Sequence, residues 1–381
     1  MAFNLSNILF ILIIFQLLFL SFFLFTQKKG QPAANSLLGF FFLSICLNLL
    51  DVFLLNTGIY FSHPNFAGFG ACLPLIFGPL LYFYTRAIIY KNFAFNLKNL
   101  VHFLPFVIFF LGTEFYYLSL PRDAQEKLLR NLSAHHIPGA ISITTLLIFV
   151  QFLFYAVSSI RLISNYKKTA NQLFSDPKCT DVAWLYSTIV FFISIMVITA
   201  LNGLLAQTSL AKYFLLAFNL VVAAVLVFVI RVLMRGLRQS YFLTFERENL
   251  YGIYAASKAT MPAADRDEKE KIMQTLLQHM QRGKPYLDPE LTLDQLALQL
   301  SLKPRILSQA INEIRQQNFF DFINHYRIDE AARMLTNPED KKITVLEVLY
   351  QVGFNSKSSF NTLFKKYTGL TPTEFRQKNA S

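Results

Sequence analysis

The 381-residue chain is 54% hydrophobic, carries 41 Phe and has a mean hydropathy of +0.40, which excludes a single ordinary water-soluble domain. Its formal net charge of +12 invites a nucleic-acid reading, yet residues 284–381 hold 13 Lys and Arg against 11 Asp and Glu, while residues 1–283 hold 22 against 12. The net of +2 in the last part and +10 before it places the excess around apolar runs, so DNA binding has to be argued from motif rather than charge.

Seven apolar runs follow one another at about 7–26, 37–57, 67–90, 100–120, 138–161, 184–206 and 213–235. Each has roughly the 20 residues that carry a helix across about 30 Å of hydrocarbon. A globular core holds one or two such helices, not seven in succession. The N-terminus lacks a basic n-region, and no small-residue cleavage pattern follows the first run, so that run is expected to be retained as a span. Lys28 and Lys29 follow it; the 58–66 loop has no Lys or Arg; Arg86, Lys91 and Lys98 mark the next loop. The 119–137 loop offsets Arg122, Lys127 and Arg130 with Asp123 and Glu126, and the 162–183 loop is basic again with Lys167, Lys168 and Lys178. Arg231, Arg235 and Arg238 close the series. Positive charge marks the cytoplasmic side, so the alternation predicts a multi-pass protein of a bacterial inner membrane, N-terminus outside and C-terminus in the cytoplasm.

Ionisable residues inside spans are rare and costly, and each is a candidate for ligand sensing. Asp51 lies late in the second run and Glu114 late in the fourth, both toward the outer leaflet in this topology; Asn48 and Asn202 are further polar groups at membrane depth. The alternative for the two acids is contact with interfacial water or hydrogen bonding between helices. Cys46, Cys72 and Cys179 show no metal or redox spacing, and His135-His136 supplies two ligands without partners, so neither a metal nor a cofactor is expected.

A connector, 236–284, comes next. Ser257 to Ala264, with Pro262, reads as a linker. Asp265 to Arg282 has helical spacing, with Ile272, Leu276, Leu277 and Met280 on one stripe. Two turns of stripe leave two readings open: pairing with a twin in a homodimer, or packing on the domain that follows.

Residues 285–381 hold two similar units. Thr292-Leu293-Asp294-Gln295 is a capping box that opens a helix burying Leu293, Leu296, Ala297 and Leu300. A short break, Ser301-Leu302-Lys303, precedes Pro304, which suits a helix's first turn. The helix at about 304–315 buries Leu307, Ile311 and Ile314, and its other face offers Arg305, Ser308, Gln309 and Asn312 to base edges or phosphates. A long amphipathic helix at about 319–335 stops at Asn337-Pro338. Thr344 to Glu347 is a second capping box, and Gly353 supplies a turn at positive φ. From Ser356 a second candidate recognition helix turns Phe360, Leu363 and Phe364 inward and Lys357, Ser358, Asn361, Thr362, Lys365 and Lys366 outward. Gly369 ends it, and Thr371-Pro372-Thr373-Glu374 opens a last short helix.

Over roughly 284–378 the chain resembles the AraC-type (AraC/XylS) transcriptional regulators. The match rests on Asp321-Phe322-Ile323-Asn324-His325-Tyr326-Arg327-Ile328, Ala331-Ala332-Arg333-Met334-Leu335, Gly353-Phe354-Asn355-Ser356, Phe360, Phe364-Lys365-Lys366 and Gly369-Leu370-Thr371-Pro372. The resemblance implies two recognition helices in successive major grooves on one DNA face, about 34 Å apart. Base readout would fall to Arg305, Ser308 and Gln309 in the first unit and to Lys357, Ser358, Asn361 and Thr362 in the second. Ser356, Lys365, Lys366 and Arg376 would contact the backbone, which positions without specifying. Arg327 and Arg333 would join structural pairs on the linking helix. Gln309 and Thr362 are neutral where family members often place a basic residue, which implies modest intrinsic affinity that tethering or dimerisation would raise. The usual soluble effector domain is missing from the preceding part, which instead looks like the membrane-bound relatives, in architecture only.

The expectation is an all-α chain: a seven-span sensor over 1–235, the connector, and a cytoplasmic tandem helix-turn-helix domain. No phosphate loop, kinase motif, metal triad or nucleophile elbow points to an enzyme. The expected partners are double-stranded DNA, the lipid bilayer, a small-molecule or membrane signal, RNA polymerase and a second copy of the chain. Two other architectures predict different observations: a transporter-like unit with a reporter tail predicts flux, and release by cleavage in 255–265 predicts a soluble fragment.

Overall fold

A computed structural model describes residues 5–27, 31–90, 93–133, 139–175, 183–205, 213, 216–217, 219–228, 266–336 and 343–379. The 255–265 linker, His135-His136, Cys179, the Asn337-Pro338 stop, most basic residues after the last run and parts of the run at 213–235 lie outside them. Every regular element among the described residues is helical, apart from one isolated β-bridge. The chain divides into two compact units, residues 1–163 with 184–246, and residues 164–183 with 247–381.

In the first unit the helices are α1 (Leu5–Thr26), α2 (Pro32–Asn56), α3 (Ile59–Ser62), α4 (Pro74–Ile89), α5 (Leu104–Ser119), α6 (Arg122–Ser133), the first part of α7 (Gly139–Leu173) and nearly all of α8 (Ala183–Leu205). Among the described residues, five helical segments are long and apolar enough to cross a membrane: Asn7–Thr26, Pro32–Asn56, Leu97–Ser119, Thr144–Leu173 and Ala183–Asn202. Two shorter apolar helices, Pro74–Ile89 and Asn219–Phe228, fall within the remaining two predicted runs. The run at 67–90 starts its α-helix late because Gly68, Gly70 and Pro74 interrupt its first third.

α1 and α2 are antiparallel. Ser21 Oγ donates to the Gly39 carbonyl (3.0 Å), Cys46 Sγ approaches the Ile14 carbonyl (3.5 Å), and the Phe10 and Phe53 rings lie 6.1 Å apart. Phe41 of α2 meets Phe77 of α4 and Phe192 of α8 edge-on. His102 Nδ1 lies 2.7 Å from the Tyr155 hydroxyl of α7. Large hydrophobic side chains also face outward in this unit: Phe15 and Phe22 on α1 are 66% exposed, and Phe115 on α5 is 79% exposed.

In the second unit the helices are α9 (Arg266–Gly283), α10 (Leu293–Gln299), α11 (Pro304–Arg315), α12 (Phe319–Thr336), α13 (Val345–Gln351), α14 (Lys357–Thr368) and α15 (Pro372–Asn379), joined by the end of α7. The α9 stripe packs on α11, with Ile272, Met273, Leu276 and Met280 buried. An ion pair from Lys269 to Glu313 of α11 (2.8 Å) fixes that contact. Of the two readings of the stripe, the structure shows packing on the following domain.

Candidate nucleic-acid interface

Both helix-turn-helix units are built from local signals. The Thr292 hydroxyl accepts from the Gln295 N–H (3.2 Å) while the Thr292 N–H donates to Gln295 Oε1 (2.8 Å). Thr344 and Glu347 repeat the arrangement at the start of α13 (3.1 and 2.6 Å), as do Thr371 and Glu374 before α15 (3.4 and 2.8 Å). The carboxyls of Glu347 and Glu374 are held below the usual range by those backbone N–H bonds. In the first unit the turn bends at Ser301, whose φ of 55° is left-handed, and Leu302 N–H donates to the Ala297 carbonyl (2.8 Å). In the second the turn bends at Gly353, with φ 86°.

α12 carries the two units. Phe319, Phe320, Phe322, Ile323, Asn324, Arg327, Ile328, Ala331 and Leu335 are all buried, and solvent meets the helix along the His325, Asp329, Arg333 and Thr336 stripe. Phe320, Ile328, Ala331 and Leu335 join Val348, Leu349, Phe354, Phe360 and Phe364 in the core of the second unit. At its N-terminus Asp321 accepts from Lys366 Nζ (2.9 Å), the Tyr367 hydroxyl (2.9 Å) and Asn318 Nδ2 (2.9 Å). Burial pushes the Asp321 carboxyl up, but those hydrogen bonds and the Lys366 charge outweigh it and hold it below the usual range. Glu330 behaves alike: burial raises it, and bonds from Arg333 (2.6 Å) and Lys284 (2.9 Å) bring it below.

The candidate recognition side chains separate into three groups. Lys357, Ser358 and Thr362 on α14 are exposed, and Asn361 is half-buried beside them. Thr362 spends its hydroxyl hydrogen on the Ser358 carbonyl (2.9 Å) and keeps its lone pairs as acceptors. On α11, Arg305, Gln309 and Asn312 are half-buried. Ser308 corrects the sequence reading: it is 3% exposed, with its Oγ accepting from Asn312 Nδ2 (3.3 Å), because it lies one residue from Leu307 and three from Ile311 on the inner face.

The backbone candidates also differ. Lys365 is exposed. Lys366 is paired with Asp321 and lies over the Tyr367 ring. Ser356 caps α14 by accepting from the Ser359 N–H (3.4 Å), and half-buried Arg376 has a solvent-inaccessible Nη2.

Arg333 forms the expected structural pair, with Glu330. Arg327 does something sequence reasoning missed. It is fully buried, and its guanidinium donates to the carbonyls of Tyr286 (2.7 Å), Asp288 (2.6 Å) and Ser175 (3.1 Å) and to Ser175 Oγ (3.1 Å), with the Phe354 ring 5.7 Å away. Nothing in the local spacing around Arg327 signals partners so far along the chain.

Of the sensing candidates in the N-terminal compact unit, Asp51 and Asn48 are hydrogen-bonded within it. The Asp51 carboxylate accepts from the Tyr60 hydroxyl (2.6 Å) and the Gly68 N–H (3.1 Å), and Asn48 Nδ2 donates to the Gly70 carbonyl (2.9 Å). A Cβ at Gly70 would come 2.5 Å from that of Asp51, so these residues close the 58–73 segment onto α2. Glu114 is half-buried, and Asn202 is buried with no hydrogen-bond partner for its Oδ1 among the described residues.

A family model described as a helix-turn-helix domain matches residues 296–378. The transcriptional regulatory protein YesN of Bacillus subtilis (strain 168) is 31% identical over 80 residues, which cover 21% of this chain and 21% of that protein. An HTH-type transcriptional regulator in the cgkA 5′ region of Pseudoalteromonas carrageenovora is 28% identical over 92 residues, 24% of this chain and 52% of its own. The crystal structure of the C-terminal domain of the two-component response regulator yesN from Fusobacterium nucleatum subsp. nucleatum ATCC 25586 aligns at 29% identity and a TM-score of 0.24, covering 29% of this chain and 98% of that one. The matched segments thus span about a fifth and a half of the two relatives' lengths. Residues 296–378 thus match a helix-turn-helix domain, and the relatives similar over this part are described as transcriptional regulators.

Proposed function

We propose that the chain is a membrane-embedded one-component transcriptional regulator, which senses a signal through its N-terminal helices and binds specific DNA through two helix-turn-helix units. One observation carries this reading. An AraC-type domain follows a unit whose large hydrophobic side chains, such as Phe15, Phe22 and Phe115, face outward, a surface that is costly in water and stable in lipid. Seven spans are assigned, the five long helices and the runs at 67–90 and 213–235, in a bacterial inner membrane with the N-terminus outside. The basic loops support that orientation. Signal is read through Glu114 and Asn202, and through Asp51 and Asn48 by way of the segment they hold, with ligand favouring one of two packings of the helices. Arg305, Gln309, Asn312, Lys357, Ser358, Asn361 and Thr362 read bases; Ser356, Lys365, Lys366 and Arg376 contact phosphates. RNA polymerase and a second copy of the chain complete the assembly.

Genome-wide DNA occupancy of the membrane-inserted protein, beside Arg305→Ala/Lys357→Ala, tests this. Discrete peaks that vanish in the double variant are expected. No peaks for the full chain, with peaks for a 265–381 fragment, would replace the reading by release through proteolysis. Unchanged induction in Asp51→Asn and Glu114→Gln at normal protein levels would remove the two acids from sensing.

A further inference from the structure

We propose that residues 164–175 are a regulatory clasp, whose tip docks on Arg327 and on the start of the first helix-turn-helix unit and sets how the two units are spaced on DNA. The proposal begins with helix length. At 35 residues α7 is about 52 Å long, while about 20 residues cross a bilayer. Its apolar part ends near Arg161, and the helix continues through Lys167 and Lys168 to Leu173. The surplus turns belong to the same compact unit as the DNA-binding domain.

The tip is specifically seated. Phe174 pairs with Thr292, the capping residue of α10, in an isolated antiparallel bridge. Ser175 is fully buried, and its hydroxyl donates to the Leu291 carbonyl (2.6 Å). Its carbonyl accepts from Asn324 Nδ2 (2.9 Å) and Arg327 Nη1 (3.1 Å), and its Oγ accepts from Arg327 Nη2 (3.1 Å). These contacts join segments 149 and 152 residues apart.

Arg327 makes the seat consequential for DNA. The same guanidinium holds the turn after α9 through Tyr286 and Asp288, and faces Phe354 in the core of the second unit. Withdrawing Ser175 removes two hydrogen bonds of the Arg327 guanidinium and one of Asn324 at once and leaves buried donors to be re-satisfied, which favours a shift of the pieces Arg327 holds. The seated clasp leaves Lys357, Ser358 and Thr362 exposed, so it acts by fixing the spacing of the units rather than by covering the DNA surface. A movement of α7 in the membrane then reaches the DNA-binding domain through the chain's own loop. The source of that movement rests on the membrane-sensor reading; the contact does not.

The test uses full-length protein in phospholipid nanodiscs with Cys179→Ser, and duplexes that the unaltered protein selects from a random-sequence pool. Phe174→Cys/Thr292→Cys places two thiols at bridge partners, whose Cα separation of about 5 Å suits a disulfide. Oxidation is expected to link them within one chain, and the linked protein to bind a two-site duplex at least as tightly as the reduced one. Ser175→Trp is expected to cut that crosslinking and the two-site affinity at least tenfold, while half-site affinity stays within twofold. Ser175→Ala, which keeps the carbonyl contacts, is expected to lose about threefold on the two-site duplex should the Trp variant fail to fold. Absent crosslinking, or a folded Ser175→Trp protein with undiminished two-site affinity, would overturn the clasp and leave the regulator reading standing. Failure of the unaltered protein to select any duplex would instead sink the regulator reading.

Discussion

The two helix-turn-helix units reach the same shape by different means. The first bends at Ser301 and is braced from outside by α9, with Lys269 paired to Glu313 and a row of apolar side chains over α11. The second bends at Gly353 and is braced from within by a continuous aromatic core, Phe354, Phe360 and Phe364, closed by Phe375 of α15. A non-glycine residue at positive φ costs energy and persists only where the surroundings over-determine it, so the first unit stores strain at Ser301 that the second avoids with Gly353. The lesson is that an external brace tolerates an imperfect turn, and a turn pressed against backbone does not.

The largest way to break this symmetry is Gly353→Ala. Its Cβ would lie 2.7 Å from the Leu287 carbonyl and 2.9 Å from that of Tyr286, at a φ of 86°. Those contacts are backbone and do not yield, so a loss of about 3 kcal/mol is expected in the second unit, read as faster hydrogen exchange over α13 and α14 in the full-length protein. A normal exchange pattern would mean that the 285–288 turn gives way more easily than its hydrogen bonds to Arg327 imply.

A smaller effect should come from pH. Asp321 holds the second unit's recognition helix through Lys366 and Tyr367, and its carboxyl is held below the usual range in the folded state. Its stabilisation is therefore complete above the unfolded carboxyl pKa of about 3.9 and is lost as pH falls through the lower folded value. About 1–2 kcal/mol is at stake, and Asp321→Asn should flatten that part of the acid-unfolding profile measured by circular dichroism. The smallest effect sharpens the comparison from the other side. Ser301→Gly relieves the left-handed strain of the first turn and should stabilise it by about 0.5–1 kcal/mol, whereas an equal or larger loss would show that the serine side chain holds the turn.

What the sequence reveals tracks the range of each interaction. The caps at Thr292, Thr344 and Thr371, the Pro304 start and the Gly353 turn were legible because each is settled within a few residues. The outward face of α14 followed from period alone. Ser308 was misread because a small polar side chain looks like a surface residue, and only packing puts it beside Ala310 and Ile311. The paired readings of the α9 stripe could not be separated, since an apolar stripe does not state what covers it. The Ser175–Arg327 contact leaves no local trace at all, because backbone carbonyls accept most of the guanidinium bonds and carbonyls carry no sequence signature.

α12 has a consequence for how the domain comes apart. The helix supplies Phe320, Ile328, Ala331 and Leu335 to the core of the second helix-turn-helix unit and also packs on α11 of the first, so the second unit's interior does not close without it. The tandem is then one cooperative block: amide protons in α10 and α13 should exchange at a common slowest rate, and a chain halted before Thr344 would leave the Phe320 and Ile328 face of α12 bare to chaperones rather than yield a working half.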